Sequence, residues 1–144
     1  RELLKATELP GMKVLQFAFS SDASNEYLPH NYDKNCVAYI GTHDNSTLEG
    51  WLHSADEGEL EYARSYMRLN QSEGERMGVI KTLMSSPADV AIVTMQDILA
   101  LGDNARMNVP SQFGKNWQWR LTLNWVFFDD TSKWIKKITD TYGR

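Results

Sequence analysis

Residues 36–51, CVAYIGTHDNSTLEGW, set an apolar run, Val37 to Ile40, directly before the polar cluster Gly41-Thr42-His43-Asp44-Asn45. The run is short and uninterrupted by charge, as a buried strand would be. Ser46 and Glu49, three positions apart, make a capping box, so a helix is predicted to open just after the His-Asp pair. A strand that delivers a histidine, a carboxylate and a carboxamide at its end, with a helix next, is the repeating unit of a parallel α/β fold.

Working outward, MKVLQFAF (residues 12–19) is apolar on both faces and reads as a preceding strand, CVAYIGT (36–42) as the second and DVAIVT (89–94) as the third. Between the first two lies SSDASNEYLPHNYDKN, rich in turn formers and without helical period. Asp22 in that loop is expected to support a turn. ELEYARSYMRLN places Leu60, Ala63 and Met67 on one face, and ERMGVIKTLMSS places Met77, Ile80 and Met84 together, so both read as amphipathic helices. Ser54 with Glu57, and Ser72 with Glu75, repeat the capping-box signal. MQDILALGDN reads as a short helix with Asp97 as its N-cap, ending at a glycine break. WQWRLTLNWVFF (117–128) fits strand and helix alike, whereas Trp134, Ile138 and Tyr142 recur every four residues on a closing helix. Three parallel strands leave two open edges, so the segment reads as the last part of an α/β barrel whose earlier strands lie upstream. The start at Arg1 rather than methionine reads as trimmed or excised.

Composition narrows the function. A net charge of −4 with scattered Lys and Arg argues against nucleic-acid and anionic-membrane partners, and no apolar run has the length of a signal peptide or membrane span. The chain is therefore expected to be soluble. A single cysteine, Cys36, excludes an internal disulfide, reads as a small buried hydrophobe beside Val37, and favours the cytoplasm. Five Trp and six Tyr fit either a polar ligand with apolar faces, such as a sugar, or an aromatic core.

At the end of a barrel strand, His43, Asp44 and Asn45 would face the catalytic side. A carboxylate there can hold a sugar's hydroxyl pair or a developing positive charge, and a histidine can bind another hydroxyl. From the string alone a carbohydrate site, a metal-linked His-Asp pair and simple helix capping all stay open. The metal reading is weak, because His30 and His53 lack ligand spacing to the pair.

Five stretches in order, LPGMKVLQFAF, YLPHNY, YIGTHDNSTLEGW, MQDILALG and ARMNVPSQFGKNWQWRL, resemble the C-terminal part of the 4-alpha-glucanotransferases called amylomaltase or disproportionating enzyme, glycoside hydrolase family 77. The likeness runs from about Pro10 to Leu121. It implies an α/β fold in which residues 1–144 form about the last three β/α units of a single catalytic (β/α)8 TIM barrel. It also implies transfer of α-1,4-glucan segments between malto-oligosaccharides by a retaining double displacement, with no metal or organic cofactor.

The roles transfer residue by residue as implications of that resemblance. Asp44 would be the third catalytic carboxylate, binding the donor sugar's hydroxyls in its distorted state. His43 would touch the same sugar, with Asn45 beside it as a further binding candidate. Asn108, from Arg-Met-Asn-x-Pro, would lie on a loop over the substrate groove, and Phe19 or Phe17 would line the acceptor side. The aspartate nucleophile and glutamate acid/base would lie upstream of Arg1, so these 144 residues alone are expected to be inactive; the alternative is a non-catalytic, glucan-binding module. Open strand edges also make self-association of the isolated segment an expectation. Trp117 and Trp119 could stack on glucan or anchor the chain, and His30 and Tyr32 could line the acceptor groove or pack their loop. The sequence departs from the family pattern at Thr94 (commonly proline), Ala100 (commonly glycine) and Gln112 (commonly threonine).

Overall fold

The computed structural model describes residues 2–122 and 129–144. Its centre is a three-stranded parallel sheet in the order β1 (Gly11–Val14), β2 (Cys36–Tyr39), β3 (Val90–Ile92). Lys13 pairs with Ala38 and Ala38 with Ala91, which fixes the register across all three strands. Helix α1 (Glu2–Thr7) precedes the sheet. The chain from β2 to β3 runs through α2 (Leu48–Ser54), α3 (Glu57–Met67) and α4 (Glu75–Met84). After β3 come α5 (Met95–Ile98) and, at the chain's end, α6 (Asp129–Tyr142). Among the described residues no helix is long and apolar enough to cross a membrane.

The strands are shorter than the apolar runs. β1 stops at Val14 and passes into a 3-10 turn, Leu15–Phe17, after one more ladder bond from Gln16 N to Ile40 O (3.1 Å). The β1-to-β2 connection contains a 3-10 turn, Pro29–Asn31, and is held by side-chain bonds. Asp22 supports a turn here, accepting from Ser24 N at 2.8 Å and Ser24 Oγ at 2.6 Å. The cap assignments also shift. Thr47 rather than Ser46 caps α2, accepting from Gly50 N at 3.1 Å, and Asp56 rather than Ser54 caps α3. Gly74 precedes α4 without a side-chain cap, and Thr94 caps α5, leaving Asp97 for another partner. The 117–128 stretch has no helix or strand through residue 122, and its remainder lies outside the described residues.

Packing separates the two faces of the sheet. Cys36 and Ala38 point into the main core with Leu60, Ala63 and Met67 of α3 and Val79, Ile80 and Leu83 of α4. α6 closes over this core through buried Ile138, with Trp134 and Tyr142 partly buried beside it. Met77 and Met84 lie at the core's margin, since Val79 and Leu83 take the deepest positions on α4. On the opposite face Met12, Val90 and Ile92 stay exposed, although Val14 in the same rows is sealed. At the end of the chain the Arg144 guanidinium donates to the carbonyls of Met84, Ser86 and Ala88, tying α6 to the entry of β3.

Candidate functional site

Residues 41–47 leave β2 as a tight loop built by its own side chains. Asn45 Oδ1 accepts from Thr42 N (2.9 Å) and Thr42 Oγ1 (2.8 Å), while Thr42 Oγ1 accepts from Asp44 N at 3.3 Å. Three further side chains brace the loop from outside. Gln16 Nε2 donates to Ser46 O at 3.0 Å, Asp103 Oδ1 accepts from Thr47 N at 2.9 Å, and Asp97 Oδ1 accepts from Leu48 N at 2.7 Å. Asp97 is 2% exposed, and its burial pushes the carboxyl above the ordinary carboxylate range against the opposing pull of the Leu48 amide. The loop is thus fixed while the side chains of His43 and Asp44 remain about half exposed, at 52% and 47%.

On the exposed side Asn108 meets the pair. Its Nδ2 donates to Asp44 Oδ1 at 2.6 Å and its backbone N to His43 O at 3.1 Å. His43 Nε2 lies 3.2 Å from the same Asp44 oxygen. Both contacts fall on Oδ1, so the other carboxylate oxygen can accept from a ligand hydroxyl. The Trp117 ring lies against the His43 imidazole, centroids 4.9 Å apart, and Trp117 holds a left-handed backbone, φ 63°. A carboxylate, an imidazole, a carboxamide and an indole within one cluster suit a polyhydroxylated ring, whose edges need hydrogen bonds and whose faces need apolar contact.

Asp44 and Asn45 share an open groove of about 810 Å³ with Phe17, Tyr27, Trp51 and Arg106. Phe17 is 47% exposed and meets Tyr27 edge-on, centroids 5.6 Å apart. Phe19 departs from the expectation. It is 3% exposed, packed among Trp51, Tyr62 and Tyr66, and has no face to offer a ligand. His30 and Tyr32 serve the loop instead of the groove: the His30 ring bonds Tyr66 Oη and Ala23 O, and Tyr32 is buried. Among the described residues no group of three or more His, Cys, Asp or Glu could hold a metal ion.

Sequence reasoning missed the braces. Arg106, Asp97, Asp103 and Gln16 fix the loop across long sequence separations; Gln16, Asp97 and Arg106 lie in family-like stretches, but nothing local to any of the four pointed to the loop it braces.

The model of glycoside hydrolase family 77, described as 4-alpha-glucanotransferase, matches residues 1–124. A 4-alpha-glucanotransferase of Clostridium butyricum is 49% identical over 144 residues, 99% of this chain and 29% of that protein. The chloroplastic/amyloplastic 4-alpha-glucanotransferase of Solanum tuberosum is 45% identical over 146 residues, covering 99% of this chain and 25% of its own length. Among solved structures, amylomaltase from Streptococcus agalactiae in complex with acarbose superposes with a TM-score of 0.93 at 36% identity, over 99% of this chain and 29% of that one. The chain therefore spans less than a third of the relatives it matches. By sequence, by parallel α/β fold and by family model, it belongs to the 4-alpha-glucanotransferases of glycoside hydrolase family 77.

Proposed function

We propose that the protein containing this chain transfers α-1,4-glucan segments between malto-oligosaccharides, and that Asp44 binds the donor sugar at the reacting centre. The observation that carries this reading is the half-exposed Asp44 carboxylate, fixed by Asn108 at 2.6 Å in the wall of an aromatic-flanked groove. An oxocarbenium-like transition state gains from hydrogen bonds to ring hydroxyls that strengthen as charge develops, and a carboxylate held in advance supplies them without reorganising. His43 and Asn108 orient that carboxylate and reach the same sugar, Asn45 shapes the loop beneath them, and Phe17 lines the acceptor side.

The 144 residues form about the last three β/α units of one (β/α)8 catalytic barrel. The exposed row of Met12, Val90 and Ile92 then faces the barrel interior, which explains its apolar character and its lack of a helical cover. A retaining transfer needs a nucleophile and an acid/base about 5–5.5 Å apart across the scissile bond, and both come from outside this chain. The lone buried Cys36 fits a reducing compartment, so a cytoplasmic location is part of the same reading.

Maltotriose disproportionation tests the proposal. The intact protein should release glucose together with longer maltodextrins, and the isolated chain should release nothing. Products from the isolated chain would place the nucleophile and acid/base within these 144 residues and overturn the barrel assignment.

A further inference from the structure

Asp44 sits on a loop with no ladder bonds of its own, so something outside the loop must hold its backbone. Arg106 does this from the groove side. Its Nη2 donates to Asp44 O at 2.6 Å, Nη1 to Ser46 Oγ at 3.3 Å, and Nε to Asn108 O at 2.9 Å. Three donors of one rigid planar fork are therefore spent on three acceptors carried by two separate segments. The consequences reach the carboxylate by two routes. Fixing the Asp44 carbonyl limits rotation of the peptide that carries the carboxylate. Fixing the Asn108 carbonyl, while its N–H is held by His43 O, sets the direction from which Asn108 Nδ2 meets Asp44 Oδ1. A lysine at this position would bring a point charge on a flexible stem, without the fork geometry that reaches all three acceptors.

We infer that Arg106 is a positioning residue for Asp44: its guanidinium locks the loop after β2 to the 106–108 segment and so holds the carboxylate where the donor sugar needs it. This rests on the reading of Asp44 as the sugar-binding carboxylate. A displacement of about an ångström at a reacting centre costs on the order of 100-fold in rate, so loss of the fork should lower kcat by that order.

The experiment compares Arg106→Ala, Arg106→Lys and Asp44→Asn in the intact protein, measuring kcat and KM for maltotriose disproportionation beside thermal unfolding. R106A is expected to lose about 100-fold in kcat with a smaller change in KM and a folded, cooperative unfolding transition. Guanidinium ion at concentrations far below those that unfold proteins should restore part of the R106A rate, while urea at the same concentration should not. D44N should gain nothing from guanidinium. Near-wild-type kcat in R106A, or a loss in folded R106A that guanidinium does not repair, overturns the inference. Should R106A fail to fold, R106K keeps the aliphatic stem and charge: a large kcat loss in folded R106K supports the fork, and a near-wild-type rate overturns it. An inactive D44N beside a fully active R106A would sink Arg106 alone, whereas an active D44N would sink the reading of Asp44 itself.

Discussion

The segments that follow β2 and β3 each carry an aspartate, Asp44 in a loop and Asp97 in α5, and the fold uses the two carboxylates in opposite ways. Asp44 is half exposed and meets side chains that leave it open to a groove; Asp97 is sealed and spends its charge on the amide of Leu48. What separates them is solvent. The Asp44 side chain is about half exposed, while burial makes the charge of Asp97 expensive against the opposing pull of the Leu48 amide, the Thr94 hydroxyl and Arg76. The segment after β3 is the foundation of the loop after β2: Asp97, Asp103, Arg106 and Asn108, all from residues 95–108, hold residues 44–48.

Removing each charge without removing its shape separates the two roles. Asp44→Asn in the intact protein should lower turnover by about 100- to 1,000-fold, the scale of losing one preorganised electrostatic group, with thermal unfolding unchanged. Near-normal turnover would take Asp44 out of the mechanism. Asp97→Asn should do the reverse, leaving turnover close to wild type, because the carboxamide oxygen can still accept from Leu48 N.

Asp97→Ala removes the acceptor as well and strands a buried amide, which costs about 1–3 kcal/mol of stability. The pH dependence gives an independent handle. Because the folded-state pKa of Asp97 is raised above its ordinary 3.8, the fold favours the protonated carboxyl. Its stabilising contribution is complete below 3.8 and is lost as pH rises through the raised value. The stability difference between wild type and D97N should therefore shrink, or turn in favour of D97N, as pH rises across that window. A difference constant with pH would mean that Asp97 is not desolvated in the folded protein.

The candidate cluster was legible because His43, Asp44 and Asn45 are adjacent, and a strand end needs only local pattern to be seen. The braces were not. Ser46 and Arg106 lie 60 residues apart and Leu48 and Asp97 lie 49 apart, distances that no periodicity encodes. The choice between Phe17 and Phe19 failed for a backbone reason. Continued strand alternation would put both on one face, but the chain leaves the strand at Val14 and turns through Leu15–Phe17, which sends Phe19 into the core and Phe17 to the groove. Cap residues were misplaced by one or two positions where Ser46 and Thr47, or Ser54 and Asp56, compete for the same helix end. Two departures from the family pattern acquire a physical meaning. Thr94, in place of proline, caps α5 by accepting from Asp97 N at 3.2 Å. Nothing in the structure explains Gln112.

Ala100 is the second such departure, and it lies in the supporting segment. Its φ of 55° is left-handed, where a Cβ is unfavourable and glycine is at home. Ala100→Gly should raise stability by roughly 0.5–1 kcal/mol, the reverse of the usual loss on adding glycine, and leave turnover unaltered. A loss of stability would show that Ala100 is not held in that conformation in solution, and would weaken the description of residues 95–108 as a fixed support.

The smallest effect tests the seam between the two loops. A Cβ on Gly50 would stand 2.2 Å from Asp103 Oδ1, the oxygen that accepts from Thr47 N. Gly50→Ala in a helix gains about 1 kcal/mol from propensity, yet it must push Asp103 aside and forfeit a bond worth about 0.5–1.5 kcal/mol. The two terms nearly cancel, so G50A alone should change stability little. In an Asp103→Ala background the clash and the bond are both gone, and the same substitution should stabilise by about 1 kcal/mol. The double-mutant cycle over Gly50 and Asp103 reads that difference directly. A coupling of about 1 kcal/mol shows that the 95–108 segment presses on the start of α2 as closely as the geometry requires. Additivity would mean that Asp103 stands away from Thr47 in solution, and the support of the Asp44 loop would then rest on Asp97, Gln16 and Arg106.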